Sequence, residues 1–254
     1  MPVLNRVEDD PALLGNVRVF HVGYTIYPFL PDNADMNVVI IGAGGHGRVV
    51  LDILRAAGKH EIVGFVDADP QLAGTNIGDV PVLGQVNLLS KLRAQKIKAA
   101  IVAIGDNAVR RGYAKKAAEQ GFELINAIHP SSVISATVEI GRNVVVAAGA
   151  IIGTDAHIGD SVIVNTAAVV DHECRIASAV HICPKAALGG RVEVGEDSFL
   201  GLGCNVIQCL RIGRSVTVGA GAVVIRDVPD GVTVVGVPAR VIKSGSITPE
   251  LAEI

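Results

Sequence analysis

Aliphatic residues recur at every sixth position between residues 128 and 224, without a break in register. The second position of each six is often glycine, and the fifth is usually small or branched. A period of six fits neither an amphipathic helix nor an alternating strand. It is typical of a parallel β-helix, in which short strands stack aliphatic side chains inward and glycine is tolerated at the bends. The seventeen in-phase residues are Ile128, Ile134, Ile140, Val146, Ile152, Ile158, Val164, Val170, Ile176, Ile182, Leu188, Val194, Leu200, Val206, Ile212, Val218 and Val224.

The chain before the repeats alternates predicted strands and helices, which indicates a parallel sheet covered by helices. We expect an α/β Rossmann-like half-domain over residues 36–127, a β-helix over 128–243 and a tail over 244–254. Residues 1–35 form an appendage of unknown role, with an acidic start that is wrong for a signal peptide. The predicted strands cover 37–41, 61–67, 99–104 and 122–128, and the predicted helices cover 46–57, 85–96 and 107–120.

A glycine-rich loop, GAGGHG, follows the first predicted strand and precedes the first helix. Gly42, Gly44 and Gly47 satisfy the G-x-G-x-x-G spacing, and Asp67 ends the second strand near the place of a ribose-binding acid. Such a loop brings backbone N–H groups close to a phosphate. About 90 residues make only half of a doubly wound domain, so we expect a nucleotide-linked ligand rather than NAD. A tight turn without a ligand is the alternative.

Composition narrows the function classes. The net charge is −3 without charge runs, so nothing favours nucleic acid as a partner. No apolar stretch reaches eighteen residues, so no transmembrane helix is expected, and we expect a cytoplasmic protein. The four cysteines lie within the repeats without a CxxC pair, which argues against a disulfide framework and a zinc site. Cys174 and Cys204 occupy the small fifth position and are expected in the core.

A polar cluster interrupts the repeats at VDHECR, where His172 is flanked by Asp171 and Glu173. Either carboxylate could orient the imidazole, and the alternative is that all three are solvated outward residues. Gly190 follows His172 by eighteen residues, which is one coil if three hexads make a turn. With coils about 4.8 Å apart, the missing side chain at Gly190 would leave a notch for a thioester, and its N–H could bind an oxyanion. His172 would then act as general base.

The segments IGAGGHGRVV, VDAD and AIGDN, followed by the hexads, resemble one family. It comprises the sugar N-acetyltransferases and sialic acid O-acetyltransferase-like proteins of bacterial surface-glycan pathways, within the hexapeptide-repeat acyltransferases. The resemblance implies a left-handed β-helix, a nucleotide sugar on the N-terminal domain, and acetyl-CoA on the coil. It implies N-acetylation of a nucleotide-linked 4-amino-4,6-dideoxy sugar, with O-acetylation of a sialic acid as the alternative. It also implies a homotrimer with the active site between subunits, and no metal.

The same resemblance assigns residues by motif. NTAAVVDHEC, which contains Asn165, matches the active-site segment, with His172 as base and Glu173 as the residue that makes it a stronger one. The nucleotide-sugar contacts fall on Gly44, Gly45, His46, Asp67, Ala68 and Gly105, and Asn165 is also expected to bind the substrate. The acetyl-CoA contacts fall on His181, Leu202 and Ala220, beside Gly190. In the segment GVPARVIK, Arg240 and Lys243 are candidates for a phosphate contact or for solvated surface positions.

Three other functions are compatible with parts of this pattern. A γ-type carbonic anhydrase would need three histidines on one zinc ion, and the candidates are His157, His172 and His181. No two of them are one coil apart, so convergence within one subunit is poor. A non-catalytic scaffold or sugar sensor would use the hexads only as structure. An NAD-dependent enzyme is disfavoured by the short N-terminal domain.

Overall fold

A computed structural model describes residues 36–244, and the expectations for residues 1–35 and for most of the tail lie outside this range. The described chain comprises an α/β domain followed by a left-handed β-helix. None of the helices within residues 36–244 is long and apolar enough to cross a membrane.

The N-terminal domain has a six-stranded sheet covered by helices. Its elements are β1 Asn37–Ile41, α1 Gly45–Ala57, β2 Glu61–Asp67, a 3₁₀ turn Pro70–Leu72, β3 Asn76–Ile77, β4 Val80–Gln85, a 3₁₀ turn Val86–Leu88, α2 Leu89–Ala94, β5 Ala99–Val102, α3 Asn107–Glu119 and β6 Glu123–Leu124. The strand order is β3-β4-β2-β1-β5-β6, and all pairs are parallel except β3–β4. The central strands β1 and β5 are almost wholly apolar, as expected for strands covered on both faces, and Val38, Val39, Ile40 and Ile41 are fully buried.

Most of the predicted elements agree with the structure and three differ. In addition, strands β3 and β4 were not predicted, because Gly78 and Pro81 interrupt the apolar pattern there. The helix predicted over 85–96 is a 3₁₀ turn followed by the short helix α2. The strand predicted over 99–104 ends at Val102. The strand predicted over 122–128 is divided, because β6 pairs with β5 whereas β7 Ala127–Ile128 already pairs within the coil. Periodicity does not reveal this division, since the apolar residues continue across it.

The coil builds three sheets from two-residue strands, one strand per hexad, and two longer strands, β24 and β25, follow the last hexad at the end of the first coil sheet. The first coil sheet comprises β7 Ala127–Ile128, β10 Val145–Val146, β13 Ile163–Val164, β16 His181–Ile182, β19 Phe199–Leu200, β22 Thr217–Val218, β24 Val232–Val235 and β25 Arg240–Ser244. The second comprises β8 Val133–Ile134, β11 Ile151–Ile152, β14 Val169–Val170, β17 Ala187–Leu188, β20 Asn205–Val206 and β23 Val223–Val224. The third comprises β9 Glu139–Ile140, β12 His157–Ile158, β15 Arg175–Ile176, β18 Glu193–Val194 and β21 Arg211–Ile212.

Residues eighteen apart pair in register, for example Val145 with Ile163 and Ile163 with His181. The inward aliphatic residues of successive coils therefore stack, and most of them belong to one continuous buried cluster. Cys174 and Cys204 lie in this cluster, as predicted.

The glycines at the second hexad position have a different reason from the one that the sequence suggested. The left-handed backbone conformation falls on the fourth position, which is usually not glycine, as at Asn143, Ser161 and Glu173. At the second position a Cβ would collide with the neighbouring coil, since one built on Gly153 would lie 2.7 Å from the His172 backbone nitrogen. Glycine is required there by close backbone approach rather than by a bend.

The N-terminal domain packs against the first coil sheet. Val50, Ile53 and Leu54 of α1 belong to the same buried cluster as Val145 and Ile163, which point outward from the coil. Polar contacts accompany this packing: the Val102 N–H donates to Asn143 Oδ1 at 2.7 Å, and Asn107 Nδ2 donates to the Asp197 carbonyl at 3.0 Å. This seam, called the domain junction below, brings the glycine-rich loop close to the coil.

Candidate functional site

The glycine-rich loop leads into the amino terminus of α1. A Cβ on Gly42 would meet the Ala103 carbonyl at 2.8 Å, and one on Gly47 would meet the Gly42 carbonyl at 2.2 Å, so packing explains both glycines. Gly44, Gly45 and Gly105 have open space where a side chain would be. The helix has no side-chain cap and no acidic residue in its first turn. Its free N–H groups therefore face a space that can accept an anion.

Asp67 fixes the shape of this loop. One carboxylate oxygen accepts from the Ala43 N–H at 2.6 Å, and the other accepts from the Asp69 N–H at 2.9 Å. Both oxygens thus already have backbone donors, so a ribose hydroxyl would have to share them. Ala68 is exposed beside Asp67, and its carbonyl accepts from Gln85 Nε2 at 3.4 Å.

Two histidines meet at the domain junction. His46 belongs to the first turn of α1 and His181 to strand β16, and their ring centroids are 6.3 Å apart. His181 is 8% exposed, packs edge-on against Phe199, and lies 3.2 Å from Asn165 Nδ2 through Nε2. His46 Nε2 and His181 Nδ1 are buried without a hydrogen-bond partner among the described residues. The structure therefore brings His181 together with His46 at the end of the glycine-rich loop and with Gly105.

The buried cation Arg110 lies behind these histidines. Its side chain is fully buried and donates to the carbonyls of Ser161 and Ala179 on the coil, at 2.8 and 3.0 Å. It also donates to the carbonyls of Ile104 and Gly105 and to Asn107 Oδ1. Burial lowers the pKa of Arg110 to about 10, which leaves it charged at neutral pH. Arg110 therefore joins the Gly105 loop to two turns of the coil.

His172 lies elsewhere, at the corner between the second and third coil sheets. Its Nδ1 is 2.9 Å from Glu173 Oε2, whereas Asp171 Oδ1 accepts from the His172 backbone N–H at 2.7 Å. Glu173 has a φ of 57°, the conformation shared by the fourth position of the repeat. The imidazole is 48% exposed in the single chain. Of the two flanking carboxylates, Glu173 contacts the ring and Asp171 holds the backbone.

Gly190 lies one coil beyond His172, and Arg191 N donates to the His172 carbonyl at 2.9 Å. A Cβ on Gly190 would lie 2.4 Å from His172 Nε2 and 2.5 Å from Cε1. The space created by the missing side chain is therefore filled by the imidazole itself and is not the empty notch expected from the sequence. Glycine at this position allows the ring to lie against the next coil.

The remaining predicted residues occupy other places. Leu202 and Ala220 are exposed and one coil apart, at the corner between the first and second coil sheets that also carries Asn165. The residues predicted to bind acetyl-CoA are thus divided: Leu202 and Ala220 lie at one edge of the second coil sheet, Gly190 lies at its other edge, and His181 lies on the first coil sheet. Arg240 and Lys243 are exposed on β25.

The three histidines considered for zinc lie on different elements. His157 is on the third coil sheet, where its Nε2 is 3.2 Å from Glu139 Oε2, His181 is on the first, and His172 is at a corner. Within residues 36–244, no group of three or more His, Cys, Asp or Glu side chains could hold a metal ion.

Comparison with known proteins agrees with this architecture. Residues 37–117 match the model of the PglD N-terminal domain family. The perosamine N-acetyltransferase PerB from Caulobacter crescentus, solved with CoA and GDP-perosamine, is 49% identical with a TM-score of 0.78, covering 82% of this chain and 97% of that one. The acetyltransferase domain of PglB from Neisseria gonorrhoeae, solved with acetyl coenzyme A, is 40% identical with a TM-score of 0.77, covering 82% and 100%. The chain belongs to this acetyltransferase family.

A curated relative matches about half of the chain. The 2,3,4,5-tetrahydropyridine-2,6-dicarboxylate N-acetyltransferase of Alkaliphilus metalliredigens is 49% identical over 124 residues, or 46% of this chain. The match spans 52% of that protein, so the chain covers about half the length of this relative. The family membership therefore rests on the solved structures, which are covered almost completely.

Sequence reasoning missed Arg110, the most deeply buried charge among residues 36–244. A signal was present, because Arg110, Ala114 and Ala117 are spaced as i, i+4 and i+7 and form the buried face of α3. The neighbouring Arg111 is half exposed and pairs with Asp197 of the coil at 2.9 Å. Helical periodicity could thus have distinguished the two arginines.

The junction histidines predict an acid-sensitive fold. Burial and the nearby Arg110 charge lower the pKa of His46 to about 4. Burial, the Arg110 charge and His46 lower the pKa of His181 to about 3. Both values lie below the ordinary value of about 6.5, so the stabilisation is complete above pH 6.5 and is lost as pH falls towards 4 and 3. We expect the free energy of unfolding to fall by up to about 1.4 kcal/mol per pH unit for each imidazole.

Chemical denaturation between pH 7.5 and 4.5 measures this slope. His181→Gln should reduce the slope by up to one such increment. Equal slopes in the wild type and His181→Gln would contradict the prediction.

Proposed function

We propose that this protein transfers the acetyl group of acetyl-CoA to the amino group of a nucleotide-linked 4-amino-4,6-dideoxy sugar. The observation that carries this proposal is the His172–Glu173 pair lying against Gly190 at a coil corner. PerB, the relative solved with CoA and GDP-perosamine, supports the choice of substrates, and all the relatives named above with a stated acceptor are N-acetyltransferases. The open space over Gly44, Gly45 and Gly105 is where we place the nucleotide sugar.

The chemistry follows from the donor and acceptor pattern. Glu173 accepts from Nδ1–H of His172, which leaves Nε2 with its lone pair as a general base. The sugar amine attacks the thioester carbonyl carbon, and its proton passes to Nε2. The Gly190 N–H donates to the oxygen as it gains negative charge. Collapse of the tetrahedral intermediate expels the CoA thiolate, which takes up a proton, and releases the N-acetyl sugar.

We further propose that the complete site forms between copies of the chain. The second coil sheet points Val133 and Ile151 outward, 52% and 43% exposed, with Val169, Ala187 and Val223 on the same face. This apolar face lies between the His172 corner and the Leu202 corner. Packing it against other copies in a homotrimer would bring the His172 corner of one subunit to the Leu202 and Ala220 corner of the next.

A CoA-release assay tests the function directly. We expect turnover with a 4-amino-4,6-dideoxy sugar linked to GDP, UDP or dTDP. The nucleotide that gives the highest turnover identifies the natural acetyl acceptor. A sialic acid is included to test O-acetylation, and tetrahydrodipicolinate to test the acceptor of the curated relatives. Turnover only with one of these two, or with none of the panel, would overturn the proposal.

Gly190→Ala is predicted to displace the general base His172 without substituting it. The added Cβ would lie 2.4 Å from His172 Nε2, so the imidazole has to leave its position against the coil. Misplacement of a catalytic group by about 1 Å lowers rates by roughly 10²-fold, and we expect kcat to fall by that order. The matched control is Gly112→Ala on α3, where a Cβ meets nothing within 4 Å. Equal kcat values for the two variants would refute this prediction.

A further inference from the structure

A short hydrogen-bond path crosses the domain junction through His181. The Thr166 N–H donates to Asn165 Oδ1 at 2.8 Å, and Asn165 Nδ2 lies 3.2 Å from His181 Nε2. The backbone donor fixes the orientation of the Asn165 amide, because an N–H can only bond to its oxygen. The amide nitrogen is therefore the atom turned to the imidazole, and it can only donate. His181 Nε2 must then accept, which places the ring proton of a neutral His181 on Nδ1.

The opposite edge of the ring faces the N-terminal domain. His181 Nδ1 is buried without a hydrogen bond of good geometry to any described residue, and the Gly105 backbone lies near enough to the ring to raise its pKa. The Gly105 carbonyl already accepts from Arg110 Nη1 at 2.9 Å, and a carbonyl oxygen has a second lone pair. A buried N–H donor thus faces the loop that borders the open space over Gly44 and Gly45.

The side chains around His181 favour the neutral ring, whereas the Gly105 backbone favours the charged one. Arg110 reaches the ring from α3, His46 from α1, Asn165 from the neighbouring coil turn, and Phe199 packs edge-on from β19. None of these four side chains carries a negative charge. Burial and the Arg110 charge lower the pKa of His181 far below neutral pH. At neutral pH, the ring is therefore a neutral tautomer and not a cation.

We propose that Asn165 is a positioning residue that holds His181 as its Nδ1–H tautomer, so that the ring directs a donor at the Gly105 loop of the nucleotide-sugar site. Arg110 holds the same loop from the other side, and together they fix Gly105 relative to the coil. Asn165 lies at the coil corner that carries Leu202 and Ala220, so the path links that corner to the nucleotide domain. The link to substrate binding rests on the proposed function, whereas the tautomer assignment does not.

Nitrogen-15 NMR of labelled histidine in the full chain reads the tautomer directly, with His181→Gln to assign the signals. We expect the wild type to show His181 as neutral Nδ1–H between pH 5 and 8. Asn165→Asp replaces the donor with a carboxylate, which can only accept, so the proton should move to Nε2 or the ring should become charged. The matched control is Thr166→Ala, which keeps the backbone N–H on Asn165 and should leave the spectrum unchanged.

Kinetics distinguishes positioning from a general structural defect. Asn165→Asp should raise KM for the nucleotide sugar about tenfold, the effect of about 1.4 kcal/mol, and change KM for acetyl-CoA little. Thr166→Ala should change neither. An Nε2–H tautomer in the wild type, an unchanged tautomer in Asn165→Asp, or a rise confined to the KM for acetyl-CoA would each overturn the inference. Absence of activity on nucleotide sugars would defeat the proposed function, yet the NMR result would still decide the tautomer.

Discussion

Replacement of His172 by alanine is expected to lower kcat by roughly 10² to 10⁴-fold, the range lost when a general base is removed. The imidazole is half exposed and its ring contacts Glu173 Oε2 and the backbone at Gly190, so its removal leaves the buried coil core intact. The substituted protein should therefore fold normally and bind acetyl-CoA with nearly unchanged affinity. A CoA-release assay gives kcat, and calorimetry gives the dissociation constant for acetyl-CoA.

His157→Ala is the matched control for this variant. His157 is also an exposed coil histidine paired with a carboxylate, with its Nε2 3.2 Å from Glu139 Oε2. It differs from His172 in that it lies in a strand of the third coil sheet and not at a corner beneath a glycine. We expect His157→Ala to keep wild-type kcat. Full activity in His172→Ala, or equal losses in both variants, would contradict the assignment of His172 as base.

The coil was predictable because every hexad repeats the same physical problem. Each coil buries one aliphatic residue per strand, so the pattern that fills the interior is visible in the sequence seventeen times. The step of eighteen residues also placed Gly190 against His172 correctly, since residues eighteen apart pair in register. The spacing of the hexads could not show that the imidazole of His172 fills the space beside Gly190, because its direction depends on its rotamer and on the contact with Glu173.

The domain junction was the least predictable part. The helix pattern of α3 makes Arg110 a buried position, but the partners of its guanidinium are backbone carbonyls. Every residue has a backbone carbonyl, so the sequence does not show which carbonyls accept from Arg110. For the same reason, the position of His181 beside His46 could not be read from the hexads alone. Its outward direction follows from the repeat, but the α/β domain that covers this side of the coil does not.

Arg110→Met is predicted to cost about 3 to 5 kcal/mol in the free energy of unfolding. Methionine fills a similar volume but leaves the carbonyls of Ser161, Ala179, Ile104 and Gly105 without this donor. An orphaned buried acceptor costs about 1 to 3 kcal/mol, and relief from burying the Arg110 charge offsets part of the sum. Chemical denaturation followed by circular dichroism measures the difference.

The neighbouring arginine supplies the control for this prediction. Arg111 is half exposed and pairs with Asp197 at 2.9 Å, so Arg111→Met should cost no more than about 1 kcal/mol. Arg110→Lys keeps the charge but offers fewer donors in a different geometry, and it should fall between the two methionine variants. If Arg110→Met and Arg111→Met were equally stable, the buried guanidinium would not contribute to holding the two domains together. The ordering Arg111→Met, Arg110→Lys, Arg110→Met, from least to most destabilised, would instead show that the junction depends on the fork of donors as well as on the charge.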